Sequence, residues 1–218
     1  MPATVKLEDS QCGYIDKRNV TYNQKYSILD YIFNEWKSST NVIELFGGIG
    51  ITSYFIRKHI TPKLHTILEI HDDCIKELKA RYPKLDIRKQ SAFDFDEYSN
   101  YDYVLIDAGE FSQSKFYIKR FNTIFDKLKN YNPDMVVTDL GFWKFSFVKK
   151  EKWDVEVPKY FEAYQKLFKQ YNFFIKKAYY THDFSILYLT KLPVEIDIKK
   201  WDKTTHEWRN VLVKGGLF

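Results

Sequence analysis

A short apolar run that stops at three glycines, residues 41–50 (NVIELFGGIG), leads into the helix-like text ITSYFIRKHI, and this constrains the fold more than any other feature. Glycine admits backbone conformations closed to other residues. A strand that turns into a helix through glycines therefore brings backbone N–H groups and the positive helix end up to a ligand. A second apolar run, His65-Thr66-Ile67-Leu68-Glu69-Ile70, closes on a carboxylate about 20 residues past the glycines, the spacing at which doubly wound folds hold a ribose. The pair predicts a nucleotide-type cofactor at the carboxyl edge of a parallel sheet.

Hydrophobic spacing extends this into an alternation of helices and strands. Tyr26, Leu29, Phe33 and Trp36 recur at helical spacing and predict a helix over 23–37. Residues 72–82 read as a second helix, capped by Asp72 and stopped by Pro83. Residues 64–70, 85–88, 101–106 and 135–138 read as strands, with a Lys-rich helix marked by Tyr117, Phe121, Ile124 and Leu128 and a further helix through 160–168. Two last strands, 172–180 and 184–190, are separated only by Thr181-His182-Asp183, a connection so short that the pair must be antiparallel. The expected fold class is α/β, a Rossmann-like doubly wound sheet, mostly parallel, with a C-terminal antiparallel hairpin.

At 218 residues the chain can bury a sizeable core. The expected organisation is an N-terminal helical extension over 1–40, a Rossmann-like cofactor domain over 41–191 and a C-terminal extension over 192–218. The formal charge of +5 is mild, permitting an anionic partner without requiring one. Cys12 and Cys74 are too few for a disulfide framework, no apolar stretch approaches the roughly 20 residues that span a bilayer, and no charged leader precedes the glycine motif. The expectation is a soluble, reduced, cytoplasmic protein with no membrane partner.

A parallel array that finishes in an antiparallel hairpin, together with the motifs ELFGGIG and LEI, resembles the class I S-adenosylmethionine-dependent methyltransferase family over roughly residues 41–191. The resemblance implies an S-adenosylmethionine cofactor held by Glu44, Gly47, Gly48, Gly50, Glu69 and Asp94. Phe46 stands where the family commonly has another Gly. Charge favours this cofactor over NAD, because Glu44 beside the loop suits a sulfonium and would repel a pyrophosphate. Glu69 would accept both ribose hydroxyl protons. Asp94 falls where such enzymes place an acid by the adenine amine, with Phe93 or Phe95 lining the base; the bland alternative makes Asp94 a turn cap and the phenylalanines core. His71 is a polar loop residue with the adenosine pocket in reach.

Asp107 and Asp139 end two successive strands, and the text IDAGEF…VVTDLGFW resembles cation-dependent, catechol-type O-methyltransferases. Two such carboxylates suit Mg²⁺. Leu140, however, replaces the Asn that the resemblance calls for and Glu110 lies where relatives carry a Lys, so a divalent metal is the lesser expectation. Asp107 is the first choice for the base or orienting group at the methyl acceptor, and Lys144 the second. A ribose-methylating Lys-Asp-Lys-Glu set cannot be assembled from Lys25, Asp107 and Lys144, and the Asn/Asp-Pro-Pro-Tyr/Phe signature is absent.

Residues 140–153 interleave aromatics with lysines, which fits base stacking, a lid or packing. Lys115, Lys119, Arg120, Lys127 and Lys129 read as a solvated helix face. Residues 201–218 suit docking or a homodimer contact. The leading expectation is a methyltransferase acting on an oxygen or nitrogen of a small-molecule or RNA acceptor. A nucleic-acid-binding or RNA-modifying protein on the same fold, its catalysis lost or repurposed, comes second, and an NAD-dependent oxidoreductase last.

Overall fold

The computed structural model describes residues 19–107, 115–141, 153–181 and 184–202, and the side-chain surroundings of 24–107, 121–138, 157–181 and 185–202. The chain divides into two compact units, one formed by residues 1–91 and 202–218, the other by 92–201. Both are built of parallel βα repeats, and the second adds the antiparallel hairpin, so the fold is the mixed α/β, Rossmann-like one expected.

In the first unit, helix α1 (Asn19–Phe33) precedes strand β1 (Asn41–Leu45), helix α2 (Ile51–His59), strand β2 (Leu64–Glu69), helix α3 (Asp72–Arg81) and strand β3 (Asp86–Lys89). The strands lie parallel in the order β3-β2-β1, with Ile43 opposite Thr66 and Ile67 opposite Ile87. Val42, Ile43, Leu45, Ile67 and Leu68 are fully buried or nearly so, as strands covered on both faces must be. Helix α1 stops at Phe33, before the expected Lys37. Trp36 keeps its place in the apolar stripe because turn bonds from Glu35 N–H to Ile32 and from Trp36 N–H to Phe33 carry the chain on, and its ring rests 4.6 Å from that of Phe33. Tyr26 stacks on Phe55 at 5.2 Å, and Asp30 accepts from Lys58 (2.8 Å) and His59 (2.6 Å), fixing α1 to α2. His71, not Asp72, is the N-cap of α3, and no side-chain bond caps it. Asp72 pairs instead with Lys89 at 2.7 Å. Cys74, buried on α3, is disulfide-bonded, a departure from the reduced thiols expected.

The second unit contains strand β4 (Tyr103–Ile106), helix α4 (Lys115–Leu128), strand β5 (Asp134–Gly141), helix α5 (Trp153–Lys169) and strands β6 (Phe174–Tyr180), β7 (Phe184–Thr190) and β8 (Asp197–Lys200). Their order is β4-β5-β7-β6-β8, with β5 and β6 both antiparallel to β7. Strand β5 runs past the expected stop at Thr138: Leu140 pairs with Ser185 and Gly141 with Phe184 after a register irregularity beyond Val137. Asp139 thus lies inside a strand at an irregular step, not in the turn after it. Helix α5 begins seven residues before the expected Tyr160 and contains Pro158, which supplies no backbone donor. Gln165 of this helix accepts from Ile175 N–H at 2.8 Å and so ties α5 to β6. Strand β8, which no periodicity announced, runs parallel to β6 and ends where Trp201 N–H donates to Tyr180 at 2.7 Å. Among the described residues no helix is long and apolar enough to cross a membrane.

Lys191 closes the second unit. Its ammonium donates to the carbonyls of Leu128, Lys129 and Tyr171 at 3.1–3.2 Å and sits 3.6 Å from the centre of the Phe173 ring. Burial pushes it down to about 8. The carbonyls and ring face act in the opposite sense by favouring the charged form, so the two effects compete at this site. Lys191→Met leaves those carbonyls without their donor, and urea unfolding should report a loss of about 1–3 kcal/mol; an unchanged midpoint would refute the role.

Burial raises Tyr98, with Asp96 adding to it, and burial raises Tyr164, with Tyr160 adding to it. The neutral phenols are favoured in the folded chain, so the unfolded chain ionises first, near about pH 10. Stability from this source is fully present below that pH and drains away as pH climbs through the folded-state values. Denaturant midpoints should fall above about pH 10, and the fall should be shallower in Tyr98→Phe and Tyr164→Phe.

Candidate functional site

The turn between β1 and α2 is set by backbone conformation. Phe46, Gly48 and Gly50 have φ of 67°, 53° and 83°, three left-handed residues within five. Such values cost an L side chain roughly 1–2 kcal/mol, so two glycines and a strained Phe46 mark a tight bend. The position where the family commonly carries Gly is thus one whose geometry asks for it. A Cβ on Gly47 would overlap Ile67, and one on Gly50 would come 2.6 Å from Leu78 and 2.7 Å from Tyr82. Gly48 meets nothing within 4 Å, so its Cα faces open space.

The three glycine N–H groups are not bare, as the sequence suggested, but bond within the protein. Gly47 N–H donates to Leu68 at 3.0 Å and Gly50 N–H to Gly47 at 3.0 Å. Gly48 N–H donates to Glu69 Oε2 at 2.7 Å. The other oxygen of Glu69 takes the N–H groups of Ile70 (2.7 Å) and His71 (2.9 Å). Three backbone donors therefore fix one carboxylate, only 6% exposed, at the end of β2 beside the glycine turn. Ile70, the next residue, is 54% exposed, an apolar side chain in water next to a held carboxylate. Sequence reading missed it, because Ile70 looked like the last residue of a buried strand.

Glu44 lies beneath the turn and is 1% exposed. Its Oε1 accepts from Ser53 Oγ at 2.5 Å and contacts His65 Nε2 at 2.5 Å. Tyr82 donates to the carbonyl of Gly50 (3.0 Å) and Arg81 to that of Ile49 (3.2 Å), so the end of α3 grips the turn as well. Burial raises the Tyr82 phenol, and the Glu44 charge raises it further.

Of the expected cofactor residues, Glu44, Gly47, Gly48, Gly50 and Glu69 come together here. Asp94 belongs to the second unit, exposed on a turn whose carbonyls at Phe93 and Phe95 accept from Lys127 at 2.7 and 3.1 Å. Lys127 also pairs with Asp96 at 2.7 Å, so it tethers a loop where a solvated lysine was expected. Phe95 is fully buried against Tyr98 and Tyr101 and cannot line a base, whereas Phe93 is half-buried. Asp107, half-buried just past β4, accepts from Thr138 Oγ at 2.6 Å. Lys144 and Glu110 lie outside the described residues, as do the side chains of Asp139 and Leu140. Among the described residues no three His, Cys, Asp or Glu side chains cluster as for a metal.

No family model matches the chain, and no curated protein matches it in sequence. Solved structures do match in fold. The N-methyltransferase NodS from Bradyrhizobium japonicum, in complex with S-adenosyl-L-homocysteine, superposes with a TM-score of 0.60 at 10% identity, over 85% of this chain and 97% of that one. An S-adenosylmethionine-dependent methyltransferase, so described, from Listeria monocytogenes gives 0.58 at 13% identity over 79% and 100%. An RNA methyltransferase, so described, from Pyrococcus horikoshii gives 0.54 at 16% over 78% and 84%. The fold is that of the class I S-adenosylmethionine-dependent methyltransferases.

The glycines differ in what they are for, and alanine should separate them. Gly47→Ala and Gly50→Ala meet packed side chains, whereas Gly48→Ala meets only its φ. Thermal unfolding should fall most in the first two and by about 1–2 kcal/mol in the third. Phe46→Gly should not lower it, since strain released offsets chain entropy gained.

Proposed function

We propose that this protein is an S-adenosylmethionine-dependent methyltransferase that methylates an oxygen or nitrogen of a small-molecule or RNA acceptor. One observation carries the reading: the N–H groups of Gly47, Gly48 and Gly50 bond within the protein, and two buried carboxylates, Glu44 of β1 and Glu69 of β2, lie beside them. A pyrophosphate needs free donors and positive potential. A cationic sulfonium ligand with a ribose needs the reverse, and the donor set fits it.

In this reading Glu69 accepts the ribose hydroxyls. Three backbone donors hold its carboxylate still, and a carboxylate has about four acceptor sites, so capacity remains. Exposed Ile70 offers an apolar face to a base. Gly48, with open space at its Cα, lets the amino-acid end approach the backbone. The ligand supplies a methyl already activated by its sulfonium, so the protein's task is alignment and, for a protonated nucleophile, a base. We assign that base to Asp107, whose Oδ1 is fixed by Thr138, with Lys144 as its companion and Asp94 at the adenine.

Calorimetric titration is the test. Glu69→Gln removes a charged acceptor common to S-adenosylmethionine and S-adenosylhomocysteine and should weaken both by roughly 10- to 100-fold. Asp107→Asn should leave both affinities unchanged and lower kcat once an acceptor is found. No heat from either ligand at millimolar concentration would end the proposal.

A further inference from the structure

The glycine turn is anchored differently at its two ends. Its entry is tied to β2 by backbone donors, Gly47 N–H on the Leu68 carbonyl and Gly48 N–H on Glu69. Its exit, where Gly50 becomes the N-cap of α2, has no side-chain cap of its own. The bonds there come from consecutive residues at the end of α3: Arg81 donates to the Ile49 carbonyl at 3.2 Å and Tyr82 to the Gly50 carbonyl at 3.0 Å. The Gly50 carbonyl also accepts from Tyr54 N–H at 3.2 Å, the bond that opens α2. One oxygen thus ties the turn both to the helix after it and to α3, with each of its lone pairs used.

Tyr82 is itself firmly held. It is the C-cap of α3, its N–H donates to Leu78 at 2.7 Å and its carbonyl accepts from Leu85 at 3.0 Å. Pro83 keeps the helix from running on. The Tyr82 ring lies so close to Gly50 that a Cβ there would come 2.7 Å from a ring carbon. Burial raises the phenol, so the hydroxyl stays protonated and remains a donor throughout the neutral range. Arg81 divides itself, pairing also with Glu77 at 3.2 Å. Between the two anchorages lies Gly48, with open space at its Cα. What a ligand meets there is main chain, whose placement depends on the bonds on either side.

We infer that Tyr82 is a positioning residue for the amino-acid end of S-adenosylmethionine: its hydroxyl, with Arg81 beside it, holds the exit of the glycine turn in the shape that this end of the ligand meets. The inference rests on the methyltransferase reading and deepens it. Tyr82 acts through the Gly50 carbonyl and not on the ligand itself. Glu69 has a different part, since it grips the ribose, and the two ends of the ligand therefore answer to different residues.

Titration of the full chain with S-adenosylmethionine, S-adenosylhomocysteine and methylthioadenosine, which keeps the adenosine and a thioether but has no amino-acid end, tests this. Tyr82→Phe keeps the ring against Gly50 and removes only the hydroxyl. It should weaken the two ligands that carry the amino-acid end by about three- to tenfold and leave methylthioadenosine within about twofold of native. Glu69→Gln, by contrast, should weaken all three. A general loosening of the fold would move all three alike, so equal losses in Tyr82→Phe, or no loss, overturn the inference. If methylthioadenosine binds the native chain too weakly to measure, the other two decide, and unchanged affinities overturn it. If Tyr82→Phe does not fold, Arg81→Met, which takes away the neighbouring bond on Ile49, must show the selective loss in its place. Failure of every ligand to bind the native chain would remove the methyltransferase reading, and this inference with it.

Discussion

Three backbone N–H groups, from Gly48, Ile70 and His71, converge on the carboxylate of Glu69, and much of the first unit is arranged to make that possible. The donors come from the ends of two different strands. They meet only if β1 and β2 are parallel neighbours in the register that sets Leu45 opposite Leu68. Gly47 N–H then bonds Leu68, which brings Gly48 N–H round to Glu69. A one-residue slip would turn each side chain to the opposite face, so the core and the site are fixed by the same register.

The turn above that carboxylate is closely packed by its own protein. Gly47 has no room for a Cβ because Ile67 fills it, and Gly50 none because Leu78 and Tyr82 do. These contacts hold three residues at positive φ, including a phenylalanine that would rather not be there. Strain of this kind persists only where the surroundings over-determine it, and here they are hydrogen bonds from Tyr82 and Arg81 above a buried Glu44. The result is a bend whose shape is set before any ligand arrives, which spares the binding step an ordering cost.

Most of this was legible because it rests on backbone chemistry that sequence announces. The glycines, the apolar run before them and the carboxylate at the end of the second run specify a strand, a left-handed turn and a second parallel strand. The short connection after Tyr180 likewise fixed an antiparallel pair. What escaped was decided by tertiary contact. Lys127 and Lys129 look alike on a helix face, yet Lys127 has loop carbonyls within reach while Lys129 pairs only with exposed Asp126. Glu44 read as an acid beside the loop, but its burial and its bond from Ser53 depend on α2 folding back over it. Strand β8, four residues with two lysines, has no pattern of its own and exists because β6 offers it an edge.

The same division explains how a chain with 10–16% identity to NodS and the two other methyltransferases superposes on them over most of its length. A site made from main-chain donors asks for very few side chains. It needs φ beyond the reach of ordinary residues at a few positions, a carboxylate at one strand end, and buried volume of the right size behind both. Apolar residues of about the right size can be exchanged for one another wherever that volume is kept. The substituents that would identify an acceptor are under no such common demand, because they sit on loops and answer to the acceptor's chemistry and not to the sheet. The fold can therefore be shared widely at low identity, while the loops at its strand ends, such as the one that begins at Asp107, are free to differ.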